Sequence, residues 1–333
     1  MKKFLLFASV MAMAIVGLPS CSSSDDGDDN PGKDKDTSVN LPTPKYADLA
    51  ATIIFNEPVK GKPKNLSSKY ELAMNSLTIT EDGDVFFSIK KTPVEDPTPQ
   101  PSEEPNEETI VVKQAAKSFD GQRLILDKNV GYVDILKVTR TIVHANVVVN
   151  VDFTIPEMGE FAFSNEGAQS TAEVNSGPHT ESTSVTKNLC RTWKVLGSIL
   201  DLEGDVTVYK EFNGSNLKPI CDEAIRQGAT LTEDEQKQFD KSIDRIAITQ
   251  TNQFLISYSD GTTDWATYAW QPGSPDTFRL TFVKSSMGNK YLDDGTTVKI
   301  AFKNNLCNLK LSTNITGEKK YKAALTLRLQ AAY

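Results

Sequence analysis

Apolar and polar residues alternate with a period of two over much of the chain. The clearest run extends from Val147 to Ile155, where valine, phenylalanine and isoleucine at the odd positions alternate with polar residues from Asn150 onwards. Such alternation predicts half-buried β-strands, because successive side chains of a strand point to opposite faces. Similar runs flank the turn E-D-G-D at 81–84. We therefore predict an all-β N-terminal domain over 45–163, folded as an antiparallel β-sandwich or meander.

The same period continues beyond residue 188 and is more regular there. Phe278 to Phe282, Val298 to Phe302 and Leu325 to Leu329 each alternate large apolar residues with polar or small ones. Eight or nine strands can be counted, each with one apolar and one polar face, as in a closed up-and-down barrel or a sandwich. Residues 188–333 are therefore predicted to form an antiparallel β-barrel domain.

Two short helices interrupt the second domain between its second and third strands. Pro219 favours the start of a first helix that ends before Gly228. Thr232 and Glu235 have the spacing of a capping box, which predicts the start of a second helix. The apolar residues on these helices are expected to be buried. They are Ile220, Ala224 and Ile225 on the first, then Phe239 and Ile243 on the second.

Three polar segments separate the apolar ones. Residues 21–44 are acidic and almost free of large apolar side chains, which predicts a solvated tether. Residues 92–108 hold five prolines and six carboxylates, which predicts an extended loop within the first domain. Residues 164–187 are rich in Ser, Thr, Gly and Glu and are predicted to link the two domains.

The first 21 residues have the layout of a secretory signal. Two lysines precede an apolar stretch, and G-L-P-S-C follows it. This pattern resembles a bacterial lipoprotein signal, in which residues 1–20 are removed and Cys21 carries the lipid; an ordinary secreted protein is the alternative. Serines and an aspartate cluster directly after Cys21 resemble the export signal of Bacteroidetes-type surface lipoproteins. That resemblance implies a lipid-anchored protein of the outer membrane that faces the medium; the alternative is a periplasmic spacer.

A second resemblance concerns the predicted barrel. A tryptophan on its first strand, Trp193 in C-R-T-W-K-V, and an arginine on its last, Arg328 in L-T-L-R-L-Q, are similar to the lipocalin-like, or calycin, architecture. The resemblance implies a lipocalin-like barrel in which Arg328 covers the indole of Trp193. Arg191 stands where that family usually has glycine.

Charge narrows the classes of partner. The chain has 36 basic and 44 acidic residues, and its two leader lysines are absent from the mature protein. The tether and the acidic loop account for all of the remaining negative charge, so the folded part is neutral. The negative net charge argues against nucleic acid as a partner, because a phosphate backbone is held by clustered lysine and arginine.

Candidate chemistry is sparse. Cys190, Cys221 and Cys307 remain after lipidation, and either one pair forms a disulfide or all three are buried thiols. The histidines, His144 and His179, fall in different predicted regions. The sequence holds no motif for a nucleophile, a cofactor or a metal, so we predict no catalytic residue, no cofactor and no metal site.

Aromatic residues of the second domain are the candidate ligand contacts. Tyr258, Tyr268 and Trp270 fall on strand-like runs, where Tyr268 and Trp270 share one face and Trp265 the other. These side chains either bind a ligand or form core. We predict a non-enzymatic surface protein that binds a small apolar or amphipathic molecule or a glycan. A structural or adhesive protein is the alternative, and a glycosidase is the third hypothesis.

Overall fold

The computed structural model describes residues 39, 41–64, 69–94, 108–135, 143–166, 170–175, 184–204, 207–226, 233–284, 296–316 and 320–333. The predicted leader, Cys21, nearly all of the tether, residues 95–107 of the acidic loop and His179 lie outside these ranges. The chain divides into two compact units. One comprises Thr43–Glu181 with Thr249–Thr251, and the other comprises Met1–Pro42, Ser182–Ile248 and Asn252–Tyr333.

The first unit is a closed antiparallel β-barrel. Its strands follow one another as a meander, and the sheet closes where β8 and β9 both pair with β1. A 3-10 turn at Asp127–Asn129 joins two of them. The strands are β1 (Ala51–Pro63), β2 (Tyr70–Ile79), β3 (Asp84–Pro93), β4 (Glu108–Phe119), β5 (Arg123–Leu126), β6 (Gly131–Ile135), β7 (Val143–Ile155), β8 (Gly159–Ser164) and β9 (Ser170–Asn175). The all-β prediction is confirmed. Of the two predicted arrangements, sandwich or meander, the strands form the meander, and it closes into a barrel.

Strands β8 and β9 together occupy the eighth position of this barrel. β8 pairs with the second half of β7, from Asn150 to Ile155. β9 pairs with the first half, from Val143 to Val147. Both also pair with β1, so the two segments act as one interrupted strand.

The stretch predicted to be a linker, 164–187, therefore contains barrel wall. Ser170–Asn175 pair with strands on both sides, and Ala172 and Val174 of this segment are fully buried. Ser184–Leu189 form a short helix, α1, directly before the second barrel. The alternation of β9 rests on two small or β-branched residues among polar ones, which gave too weak a signal for a strand.

Large apolar side chains fill the first barrel. The inward residues of β7, from Val147 to Ile155, are all buried, as their alternation predicts. Phe153 lies at the centre, with ring centroids 4.8 Å from Phe87 and 5.8 Å from Phe163. Packing of this kind joins strands β3, β7 and β8 across the interior.

The second unit is also a closed antiparallel barrel with eight strand positions. Its first and last strands pair from Trp193 opposite Ala331 to Gly204 opposite Tyr321. On its other side the first strand pairs with two segments in turn, so these two share one position. The strands are β10 (Arg191–Gly204), β11 (Val208–Asn213), β12 (Ile243–Ile248), β13 (Gln253–Tyr258), β14 (Thr263–Trp270), β15 (Thr277–Lys284), β16 (Thr296–Lys303), β17 (Leu306–Thr316) and β18 (Lys320–Ala331).

Two short helices lie between β11 and β12, where the sequence predicts them. They are α2 (Lys218–Arg226) and α3 (Glu233–Lys237); Gly228 and Thr232 lie outside the described residues. The second predicted helix is too long. Ile243 is the first residue of β12, where it pairs with Tyr258 of β13.

Candidate functional site

The segment before β1 folds as a turn against the hairpin between β2 and β3. The backbone N–H of Tyr46 donates to the Glu81 carbonyl at 2.8 Å, and the Tyr46 carbonyl accepts from Leu49 and Ala50 at 2.9 Å each. Tyr46 and Leu49 lie three residues apart and are both buried in the core of the first barrel. Hydrogen bonds and apolar burial together hold this turn in place.

Gly83 in the β2–β3 hairpin allows the Tyr46 ring to approach. Its φ is +91°, and a Cβ at this position would lie 2.5 Å from Cδ2 of Tyr46. Glycine is required here both for the left-handed backbone and for the space that the ring occupies. The turn E-D-G-D that the sequence predicts thus packs against the Tyr46 ring.

An open cavity of about 450 Å³ lies beside this turn, within the first unit. Its walls combine apolar, aromatic and charged side chains from the turn, from the β4–β5 hairpin and from the end of β6. They are Lys45, Tyr46, Asp48, Leu49, Lys117, Ser118, Phe119, Gly121 and Ile135. The volume falls in the usual range for small-molecule sites, about 300–1,000 Å³.

Two ammonium groups stand on the cavity wall. Lys45 is exposed, and its Nζ lies 4.8 Å from the centroid of the Tyr46 ring. Lys117 lies at a bulge in β4, where Ala116 pairs with Leu126 but Ser118 already pairs with Ile125. A bulge redirects a side chain relative to the regular alternation of a strand. The single carboxylate among the lining residues is that of Asp48.

This composition fits one kind of small molecule. Tyr46, Phe119 and Leu49 offer apolar surface, and Lys45 and Lys117 offer charged donors for an anion. Hydrolysis of a glycoside commonly uses a pair of carboxyl groups, and the cavity lining provides one. An amphipathic anion has an apolar part, which the aromatic and aliphatic side chains complement, and a negative charge, which the two lysines complement.

The sequence alone gives little indication that these residues line a cavity. Lys45 and Tyr46 lie at the boundary between the predicted tether and the first domain, and the side chain of Lys117 depends on the bulge. The aromatic residues that the sequence indicates as ligand contacts lie in the other barrel. A lysine beside an aromatic residue at a domain boundary is too common a combination to indicate a site.

Tyr268 and Trp270 are brought together by the structure, but as packing. Tyr268 is buried, with its ring centroid 4.9 Å from that of Phe278. Trp270 is half-buried and meets both rings edge-on, at centroid distances of 6.0 Å to Tyr268 and 5.7 Å to Phe278. Trp265 faces the other way, as predicted, and its Nε1 donates to Gln253 Oε1 at 2.6 Å. These contacts make Tyr268 part of the core, not an exposed platform.

Tyr258, the third candidate, is buried apart from that pair. Its hydroxyl donates to Asp264 Oδ2 at 2.7 Å, and the Nζ of Lys241 lies 4.0 Å from its ring centroid. Burial and the neighbouring Asp264 carboxylate raise the pKa of the Tyr258 phenol well above its ordinary value of 10. Burial lowers the pKa of the Lys241 ammonium, and Asp264 and Asp260 oppose that change.

The predicted contact between Trp193 and Arg328 is wrong. Trp193 points into the barrel, whereas Arg328 lies on the outer face opposite Gly197, with its Nη1 3.5 Å from Glu211 Oε2. Arg191 takes the place beside the indole instead, its guanidinium carbon 5.7 Å from the ring centroid. Residues two apart on a strand share a face, so Arg191 and Trp193 both face inward.

The three cysteines of the second unit are buried thiols, and none of them forms a disulfide. Burial raises the pKa of the Cys221 thiol to about 11 and that of Cys307 further still. No group of histidine, cysteine and carboxylate side chains suited to a metal ion occurs among the described residues. Within the same ranges, every helix is too short or too polar to span a membrane.

Comparisons with known proteins give no family for this chain. Neither protein-family profiles nor curated proteins match it. A solved structure of a protein of unknown function from the DUF3598 family of Nostoc punctiforme aligns over 87% of this chain and 100% of its own, with 7% sequence identity and a TM-score of 0.21.

Proposed function

We propose that this chain is a lipid-anchored, non-enzymatic binding protein of the cell surface, whose ligand is a small amphipathic anion. The observation that carries the proposal is the open cavity of about 450 Å³, lined by Lys45, Lys117 and the aromatic rings of Tyr46 and Phe119. The leader and Cys21 support the anchor, and the resemblance to surface lipoproteins supports the location. The site lies in the first barrel, not among the aromatic residues of the second.

The ligand preference is tested with three molecules of equal chain length. Calorimetric titration of the full chain with octanoate, octanol and octylammonium compares an anion, a neutral molecule and a cation on the same apolar tail. We expect octanoate to bind most tightly. A variant with Lys45→Gln and Lys117→Gln should lose about tenfold or more in octanoate affinity, because a hydrogen bond to a charged group contributes about 1.5–3 kcal/mol.

The matched control removes two exposed lysines from the wall of the same barrel, by Lys60→Gln and Lys62→Gln. This variant has the same net charge as the cavity variant and should bind octanoate as the wild type does. Equal affinity for the three molecules, or equal loss in both variants, would contradict the proposal. Absence of saturable binding would favour the structural or adhesive alternative.

A further inference from the structure

The charge of the second barrel is distributed unevenly around its wall. Strands β15 to β18 are adjacent in the sheet and contain eight lysines and arginines but no aspartate or glutamate. The whole chain has more acidic than basic residues, 44 against 36. A four-stranded segment without a carboxylate is therefore a marked departure from the composition of the chain.

The basic residues of these strands whose side chains are described lie on the outer face: Arg279, Lys299, Lys303, Lys310, Lys322 and Arg328. Phe278, Leu280, Val298 and Ile300 point into the barrel and are buried, whereas the alternate positions Arg279, Lys299 and Lys303 are exposed. Lys322 on β18 is exposed as well. We call the outer side of β15 to β18 the basic face.

The register places like charges together on the basic face. Lys299 of β16 lies directly opposite Lys310 of β17. Like charges opposite one another on neighbouring strands destabilise a sheet. Carboxylates border this face: Asp201 of β10 lies 3.8 Å from Lys310, Glu211 of β11 lies 3.5 Å from Arg328, and Asp276 directly precedes β15, where it accepts a hydrogen bond from the Thr277 hydroxyl. An arrangement that costs stability at its centre favours a bound anion there.

The other side chains on this face are polar and uncharged. Thr297, Asn308, Ser312 and Thr326 stand between the basic residues at alternate positions of the same strands. Their hydroxyl and amide groups both donate and accept hydrogen bonds. Val283 is the one exposed large apolar residue among the described side chains of these four strands. Insertion into a bilayer needs apolar surface, and stacking on nucleotide bases needs exposed rings. The described side chains of this face therefore suit neither a bilayer nor unpaired bases.

The basic face is broad as well as polar. Four neighbouring strands span about 14 Å across the sheet, and Lys299 and Lys303 lie about 13 Å apart along their strand. Charges spread over such an area fit a polymer with repeated anionic groups better than a single small anion, whose charge one or two lysines can neutralise.

We propose that the basic face binds an acidic polysaccharide, a hydroxylated chain that carries carboxylate or sulfate groups. Lys299, Lys303, Arg279 and Lys322 bind the anionic groups, and the threonine, serine and asparagine side chains bind the hydroxyls. This site is separate from the cavity of the first barrel, and neither proposal depends on the other.

The test measures binding of the full chain to polygalacturonate and to dextran sulfate, with uncharged dextran as the neutral polymer. Both acidic polymers should bind, more weakly as salt is raised, and dextran should not. A variant with Lys299→Gln and Lys303→Gln should bind the acidic polymers roughly fivefold or more weakly and with a shallower salt dependence. The control variant with Lys60→Gln and Lys62→Gln, equal in charge, should stay within about twofold of wild type.

Three outcomes would overturn the proposal. The first is an equal loss in both variants, which would make the effect one of net charge. The second is equal binding of uncharged dextran. The third is tighter binding to vesicles that contain phosphatidylglycerol, or to duplex DNA, than to either acidic polysaccharide, which would assign the face to a different anionic partner.

Discussion

The buried phenol of Tyr258 in the second barrel should affect both the stability of the protein and the dependence of that stability on pH. Tyr258 donates a hydrogen bond to Asp264, and both side chains are buried. Replacing Tyr258 by Phe removes the donor and leaves a buried carboxylate with one partner fewer. We expect the free energy of unfolding to fall by about 1–3 kcal/mol. Urea unfolding at neutral pH, with Tyr209→Phe as an exposed control, measures this difference.

The effect of Tyr258 should also depend on pH in a defined direction. The pKa of its phenol is raised in the folded state, so folding retains a proton that the unfolded chain releases above pH 10. The stability that the phenol contributes is therefore complete below about pH 10 and is lost as the pH rises through the folded-state value. The stability difference between the wild type and Tyr258→Phe should be constant from pH 7 to 9 and should shrink at higher pH. A difference that grows above pH 10 would contradict this assignment.

Gly83 is the residue on which the cavity turn depends. Gly83→Ala adds a Cβ in the space of the Tyr46 ring and strains a backbone with φ of +91°. Gly159 has φ of +89° in the same barrel, and an added Cβ there meets nothing within 4 Å. Gly159→Ala thus reports the backbone strain alone, about 1–2 kcal/mol. We expect Gly83→Ala to cost roughly 1 kcal/mol more and, unlike the control, to weaken octanoate binding. Equal stability of the two variants would show that the ring moves aside freely.

At the level of the strand, replacing Arg191 and replacing Arg328 should have effects opposite to those that the lipocalin-like resemblance implies. Arg191 is 3% exposed, and its Nε donates to the Asn188 carbonyl at 2.8 Å. Arg191→Ala leaves a void and an unsatisfied carbonyl, which we expect to cost about 2–3 kcal/mol. Arg328→Ala removes an exposed ion pair with Glu211 and should cost within about 1 kcal/mol. Thermal unfolding of both variants, with exposed Lys194→Ala as a control, measures the two losses. A larger loss for Arg328→Ala than for Arg191→Ala would contradict this prediction.

The alternation of apolar and polar residues was sufficient to predict most strands of the two barrels, but not the pairing that closes each sheet. β7 and β16 could be predicted because five and three large apolar residues recur on one face. β9 could not be predicted, because its inward positions hold alanine and valine within a polar segment. Sheet closure is a contact between distant strands, as between β10 and β18, and local periodicity carries no information on it.

The candidate site was less predictable than the fold for the same reason. Its walls come from the turn before β1, the β4–β5 hairpin and the end of β6, which lie far apart in sequence. Tyr258, Tyr268 and Trp270 lie close together along the chain, which favours a binding surface, but their alternation fits a barrel core equally well. Aromatic residues on a strand indicate a binding surface only when it is known which face of the strand points into the barrel and which points outward. That distinction depends on how the sheet closes.

Across the whole molecule, the charged segments and the folded barrels have separate roles. The tether and the acidic loop hold the net charge, and the leader and Cys21 are expected to place the chain on the membrane. We expect globomycin to block processing and Cys21→Ala to release the protein from membranes. Fractionation and labelling of intact cells with an impermeant reagent measure both. A Cys21→Ala form that stays membrane-bound would exclude the lipid anchor, and protection from the reagent would favour the periplasmic side.

Each barrel fills one of its eight wall positions with two chain segments. In the second barrel the interruption lies between β11 and β12 and holds α2 and α3; in the first it lies between β8 and β9. A break at such a point leaves the hydrogen-bonded ring intact, because each segment keeps its neighbours on β10 or on β1 and β7. Residues can therefore be inserted between the two segments during evolution without changing the number of strand positions in the barrel, and new structural elements can be added there.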